Sequence, residues 1–146
     1  MQITRKSPIT LLEIMIVIFI IGIIGGVIGY NMKGSLDEGR SFKSEQGSKQ
    51  VYDLLTLKMA DGTSLEDILE DPKKALKENG FVNNTKKLLQ DGWSNEFELR
   101  EVGIDNFCVY SAKWHEFLKK KKNLTDEKLQ EEYPWAFNFE EEEDDD

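Results

Sequence analysis

Cysteine is almost missing from the chain: Cys108 is the only one among 146 residues. No internal disulfide and no thiolate cluster for a metal can form, and the redox compartment stays open. A lone thiol inside the hydrophobic stretch "FCVY" reads as a buried, inert group. Histidine is equally scarce, since His115 stands alone. That excludes a multi-histidine metal site and leaves a pair with a neighbour such as Glu116 as the one acid–base option, against the plainer reading of an exposed helix residue. Positive charge is also short, with 19 Lys and Arg against 28 Asp and Glu for a net charge of −9, which argues against a nucleic-acid-binding surface. Neither a phosphate-binding glycine loop nor a serine nucleophile motif is present. No catalytic residues are therefore assigned, and the chain is not expected to be an enzyme.

The acidic excess is unevenly placed. "EEEEDDD", Glu140 to Asp146, supplies most of it. A run of like charge with no glycine turn to organise it reads as a solvated, disordered tail and not as an ion site.

What the chain does have is one long apolar run. Ile9 to Tyr30 is 22 residues with a single charge, and at ~1.5 Å per residue a helix of that length covers about 33 Å, the hydrocarbon thickness of a bilayer. A cleavable secretory signal has an apolar region of only ~7–15 residues, so this run reads as a span. Arg5 and Lys6 precede it and no basic residue follows until Lys33; the positive-inside bias puts the N-terminus in the cytoplasm and the rest of the chain outside. Gly22/Gly26 and Gly25/Gly29 make two small-x-x-x-small pairs that would let another helix approach closely, although glycine is common in membrane helices in any case. Glu13 is the anomaly. A carboxylate in hydrocarbon costs ~2.5–3.5 kcal/mol at the centre of a span, so it needs a partner or an interfacial position, for instance beside Arg5 or Lys6.

About 116 residues remain, enough for one small domain with one modest core. Residues 31 to 60 read as a polar continuation of the helix, with Phe42, Val51, Leu54, Leu55, Lys58 and Met59 as an apolar stripe. Gly62 breaks it; Ser64 with Asp67 forms a capping box before Leu65, Ile68 and Leu69. A further helical turn starts at Pro72 and stops at Asn79–Gly80, a left-handed cap. "EFELREVGIDNFCVY" alternates Phe97 and Leu99, turns near Gly103 to Asn106, and continues with Phe107 and Val109: a β-hairpin with one face on a core.

"ITLLEIMIVIFIIGIIGGVI" resembles the N-terminal signature of class III signal peptides, found in type IV pilins and in the pseudopilins of type II secretion. The matching residues are Ile9, Thr10, Leu11, Leu12 and Glu13. The resemblance implies that a prepilin peptidase cuts between Pro8 and Ile9, that the new amine of Ile9 is N-methylated, and that Glu13 pairs with such an amine in a neighbouring subunit. A buried charge then finds its opposite only on assembly. Pro8 departs from the family, which has Gly or another small residue there; proline fixes its own φ and restricts Ser7. "LLQDGWSNEFEL" resembles the Asp-Pro-Trp-Gly-Asn-Pro-Tyr segment that opens the sheet of the major pseudopilin. Asp91, Trp93 and Asn95 match, while Gly92, Ser94 and Glu96 stand where the family has Pro, Gly and Pro.

Past Ala112 the likeness ends. The major pseudopilin has an Asp- and Gly-rich calcium loop; "KWHEFLKKKKNLTDEKLQ" takes its place, and Lys119 to Lys122 would repel a hard cation. The calcium site is not carried over and no cofactor is expected.

The resemblance implies an α+β fold: a long N-terminal helix, membrane-spanning in its first half, packed on a small antiparallel sheet. The expected divisions are a leader at 1–8, an assembly helix at 9–30, a periplasmic pilin-like domain at 31–139 and an acidic tail at 140–146. It also implies a filament of many copies with minor pseudopilins, an inner-membrane assembly platform as partner, a single pass through the bacterial inner membrane, and a role in protein export. The alternatives are a type IV pilin of an adhesion or DNA-uptake pilus, and a single-span anchor for a periplasmic binding module.

Overall fold

The structure is a computed structural model and describes residues 7–78, 80 and 83–139. Most of the expected leader, Asn79 of the expected cap, and the acidic tail lie outside the described residues.

Helix α1, Leu11–Ala60, runs through both of the compact units into which the chain divides, one ending at Asp37 and the other beginning at Glu38. It starts two residues later than the apolar run, because Thr10 caps it. In the first unit α1 carries the apolar surface: Leu11, Phe19, Ile21 and Val27 are all exposed. Among the described residues this is the one helix long and apolar enough to cross a membrane.

In the second unit α1 ends where Gly62 turns left-handed at φ +101°. Gly62 N–H donates to the Met59 carbonyl and Thr63 N–H to the Lys58 carbonyl, the paired bonds of a Schellman stop. Short helices follow, each started by a side-chain cap: α2, Leu65–Glu70, by Ser64; α3, Pro72–Lys77, by Asp71, with Pro72 in the first turn; and α4, Thr85–Leu88, by Asn84. Gly80 is left-handed at φ +65°.

Strands β1, Glu98–Glu101, and β2, Phe107–Tyr110, pair antiparallel with Leu99 opposite Val109. Their turn uses left-handed Gly103 and Asp105. Helices α5, Ala112–Lys121, capped by Ser111, and α6, Asp126–Glu132, capped by Thr125, complete the chain. The segment after α6 returns to β2, where Val109 N–H donates to the Trp135 carbonyl at 2.7 Å.

The second half of α1 packs on this small sheet, an α+β, pilin-like arrangement. Two apolar clusters hold the unit. The first joins Val51 and Leu55 of α1 to Leu65, Ile68, Leu76, Phe97, Phe107 and Val109. Val51, Leu55, Ile68 and Leu76 are at 0 % exposure, and each contributes about 1.5–3 kcal/mol by leaving water. The buried residues of the second cluster, Trp114, Phe117, Leu118, Leu129, Ala136 and Phe137, all come after β2, and Trp93 and Tyr110 pack against them. Residues 112–139 form a C-terminal clasp.

Three expectations are corrected. Phe42 does not join the apolar stripe but is 63 % exposed; the buried face at that level of α1 is Ser41, Ser44 and Ser48. The hairpin is not one-sided, because Cys108 is as buried as Val109, the clasp lying against β2. His115 is not an exposed helix residue and does not pair with Glu116 but with Tyr110 and Asp126.

Candidate functional site

Two regions contain the residues singled out by the sequence, one in each unit. In the first, Ser7 to Thr10 are non-helical and exposed, Pro8 and Ile9 among them. Thr10 and Glu13 form a reciprocal capping box: Thr10 N–H donates to Glu13 Oε2 at 2.9 Å and Glu13 N–H to Thr10 Oγ1 at 3.3 Å. The carboxylate is thus partnered within its own chain and lies at the positive end of the helix. Gly22 and Gly26 leave open space where a Cβ would stand, and Gly22 floors a shallow apolar hollow with Met15, Ile18, Phe19 and Ile23. Such a surface admits close approach by another apolar helix.

In the second unit Asp91, Trp93 and Asn95 form a loop around one carboxylate. Asp91 is 1 % exposed. Its Oδ1 accepts the N–H groups of Trp93, at 2.8 Å, and Asn95, at 2.9 Å, while Oδ2 accepts Ser111 Oγ at 2.7 Å. Ser111 Oγ in turn accepts Trp114 N–H and caps α5. The loop touches α1 through Gly92, whose N–H donates to Ser44 Oγ at 2.8 Å. Trp93 reaches into the second cluster, its ring 5.8 Å from that of Phe117.

Beside the loop lies a polar hollow of about 240 Å³ lined by Asn95, Glu96, Glu98, Tyr110, Lys113 and Glu116. Its three glutamates are matched by cations: Glu96 by Lys73 at 3.0 Å, Glu98 by Arg100 at 3.0 Å and Glu116 by Lys120 at 2.6 Å.

The sequence did not single out three serines and one relay. Trp114 Nε1 donates to Ser41 Oγ and Trp135 Nε1 to Ser48 Oγ, each at 3.0 Å; with Ser44 they make a buried hydroxyl stripe on α1. The i, i+3, i+7 spacing of these serines is the one sequence signal that could have found it. His115 is half-buried and sits between Tyr110 and Asp126, with Nδ1 2.8 Å from the Tyr110 hydroxyl and Nε2 3.0 Å from Asp126 Oδ1. The hydrogen bond to His115, then that to Lys119, holds the Asp126 carboxyl below its ordinary range, while burial pushes the Tyr110 phenol up. Burial likewise pushes the Cys108 thiol up, as suits an unreactive group. The lysine run is largely paired as well: Lys119 with Asp126, Lys120 with Glu116 and Lys122 with Glu38.

A capped apolar helix continuing into a small α+β unit defines the class as pilin-like. Over 112 residues the chain is 39 % identical to a protein of Chlamydia trachomatis serovar D, covering 75 % of this chain and 90 % of that one. Over 119 residues it is 38 % identical to a protein of Chlamydia pneumoniae, covering 80 % and 96 %. Both carry the description "Putative outer membrane protein", and the chain belongs to this family of chlamydial proteins. It is more distantly similar to the type II secretion system core protein G of Aeromonas hydrophila, 26 % identical over 125 residues that cover 75 % of this chain and 85 % of that protein. No known family profile and no solved structure matches the chain.

Proposed function

We propose that the chain is a structural subunit of a periplasmic pseudopilus that serves protein export by type II secretion. The observation that carries this reading is the wholly exposed apolar surface of α1 in the first unit, with Glu13 at its start; the similarity to core protein G supports it. Subunits wait in the inner membrane with the N-terminus in the cytoplasm, are cut between Pro8 and Ile9 and N-methylated at Ile9, and stack through α1 on an assembly platform with minor pseudopilins. A membrane-seeking element that is a helix suits the inner membrane. β1 and β2 have four residues each, short of the ~9–11 that a strand needs to cross a bilayer. The subunit has no catalytic role in this reading and binds no calcium, Lys119 to Lys122 standing where the calcium loop would be, so millimolar calcium leaves its melting temperature unchanged within about 1 °C and a rise reversed by a chelator refutes that part.

Glu13 serves two states. In the lone subunit it is partnered by Thr10, which lowers the cost of placing a carboxylate at the edge of a span; in the filament it meets the amine of a neighbour. Gln in its place keeps the capping geometry and drops the charge. Glu13→Gln and Glu13→Ala are therefore expected to keep wild-type membrane levels, and both to lose multimers cross-linked through cysteines introduced between Ile16 and Val27. Intact mass of the same material reports the cut. Unchanged multimers in Glu13→Gln, or none in wild type with the secretion machinery present, identify a simple membrane anchor instead.

A further inference from the structure

The stretch of α1 from Glu38 to Ser48 is a helix without an apolar reason to be one. Its single apolar residue, Phe42, faces out at 63 % exposure. Gly39, Gly47 and the three serines are poor helix formers. Two of the hydroxyls also turn back on their own helix, Ser44 Oγ donating to the Arg40 carbonyl at 2.9 Å and Ser48 Oγ to the Glu45 carbonyl at 3.0 Å, a habit that weakens the backbone ladder.

The support comes from elsewhere in the second unit. Both indole N–H groups of the clasp, on Trp114 and Trp135, end on this stretch, and Lys122 reaches Glu38 at 2.8 Å. Trp114 is at 0 % exposure, so a break of its bond to Ser41 without undocking leaves a buried donor unpaired. A few residues later the situation reverses, since Val51 and Leu55 are anchored in the other apolar cluster. The 91–95 loop bridges the two clusters, with Gly92 N–H on Ser44 Oγ, Asp91 bonded to Ser111 of the clasp and Trp93 packed on Phe117, so that loop depends on the clasp while Val51 and Leu55 keep a core of their own.

We propose that the C-terminal clasp decides whether Glu38–Ser48 is helical. With the clasp docked, α1 is continuous; with it released, this stretch melts while the hairpin and Val51–Leu55 stay folded. Eleven residues passing from ~1.5 Å to ~3.3 Å each would lengthen the chain by about 20 Å, which makes the stretch an extensible tether under the control of the clasp. The proposal does not depend on what the first unit assembles with.

The test is hydrogen exchange on the full chain in detergent micelles, comparing wild type with Trp114→Phe/Trp135→Phe, which removes both donors and leaves α1 untouched. Amides of Ser41–Ser48 are expected to exchange at least tenfold faster, with those of Leu54–Met59 and β1–β2 unchanged. Adding Gly39→Ala, at a position with open space for a Cβ, is expected to recover most of the lost protection. Should the double variant fail to fold, Trp135→Phe alone is read at Glu45–Ser48 in the same way. Unchanged exchange in the stretch overturns the proposal, as does equal acceleration in Leu54–Met59 and the hairpin, or no recovery with Gly39→Ala.

Discussion

Ser111 Oγ donates to Asp91 Oδ2 at 2.7 Å, both residues buried, and that bond joins the loop at 91–95 to the first turn of α5. The same carboxylate holds two backbone N–H groups of its loop, and the same hydroxyl caps a helix. Asp91→Ala leaves three donors short and is expected to destabilise the chain by about 2–4 kcal/mol, hydrogen bonds to charged groups being worth ~1.5–3 kcal/mol each. Ser111→Ala should cost about 1–2 kcal/mol through the cap. Because the two share a bond, the double variant should cost clearly less than the sum. Urea unfolding of the full chain in micelles, followed by tryptophan fluorescence, measures all three; additive costs would mean that the bond carries no coupling.

Gly92 lies against α1 so closely that a Cβ there would stand 2.0 Å from the Arg40 carbonyl oxygen. Backbone cannot yield as a flexible side chain can, so Gly92→Ala must push the loop off the helix and break the Gly92–Ser44 bond. A loss of more than about 3 kcal/mol is expected, at the severe end for a single substitution. Gly39→Ala, in open space on the same helix, should instead stabilise by up to about 1 kcal/mol. Comparable melting temperatures for the two variants would contradict the close approach.

Asp126 sets a pH dependence. Its carboxyl is held low first by the hydrogen bond from His115 and then by Lys119. Folding thus favours the ionised form, and the contribution is present above the ordinary aspartate range, near pH 4, and is lost as pH falls through the depressed value. The side chain is 47 % exposed, so the effect is modest. Wild type is expected to exceed Asp126→Asn in stability at pH 7, with the gap closing toward pH 3. A gap that stays constant in a melting series across that range would assign the contribution to something other than this ionisation.

Much of the fold was legible in the residues alone. The long apolar helix, the Gly62 stop, the Ser64 cap and the alternation of Phe97, Leu99, Phe107 and Val109 are all written between neighbours a few positions apart. Glu13 stood out because a carboxylate in an apolar run is costly wherever the chain folds. Its bond to Thr10, three residues away, is equally local. Asp91, Trp93 and Asn95 were visible as a motif, but their purpose was not. The partner that explains Asp91 is Ser111, a hydroxyl with no mark of its own.

The clasp was hidden for a related reason. Trp114, Phe117 and Leu118 do stand at the helical spacing i, i+3, i+4, but Leu129 and Phe137 lie on a short helix and an irregular end among many charges, and nothing local says that they meet. In sequence the lysine run only argues against a cation site; Asp126, Glu116 and Glu38, which pair with three of its lysines, are brought beside it by the fold. Hydropathy and capping act along the chain, so the sequence by itself determined the apolar helix, its start and stop, and the hairpin. Ser41 and Ser48 meet indoles 73 and 87 positions away. A hydroxyl has no preference for burial until a donor is brought to it, and only the tertiary structure decided which polar groups would be buried.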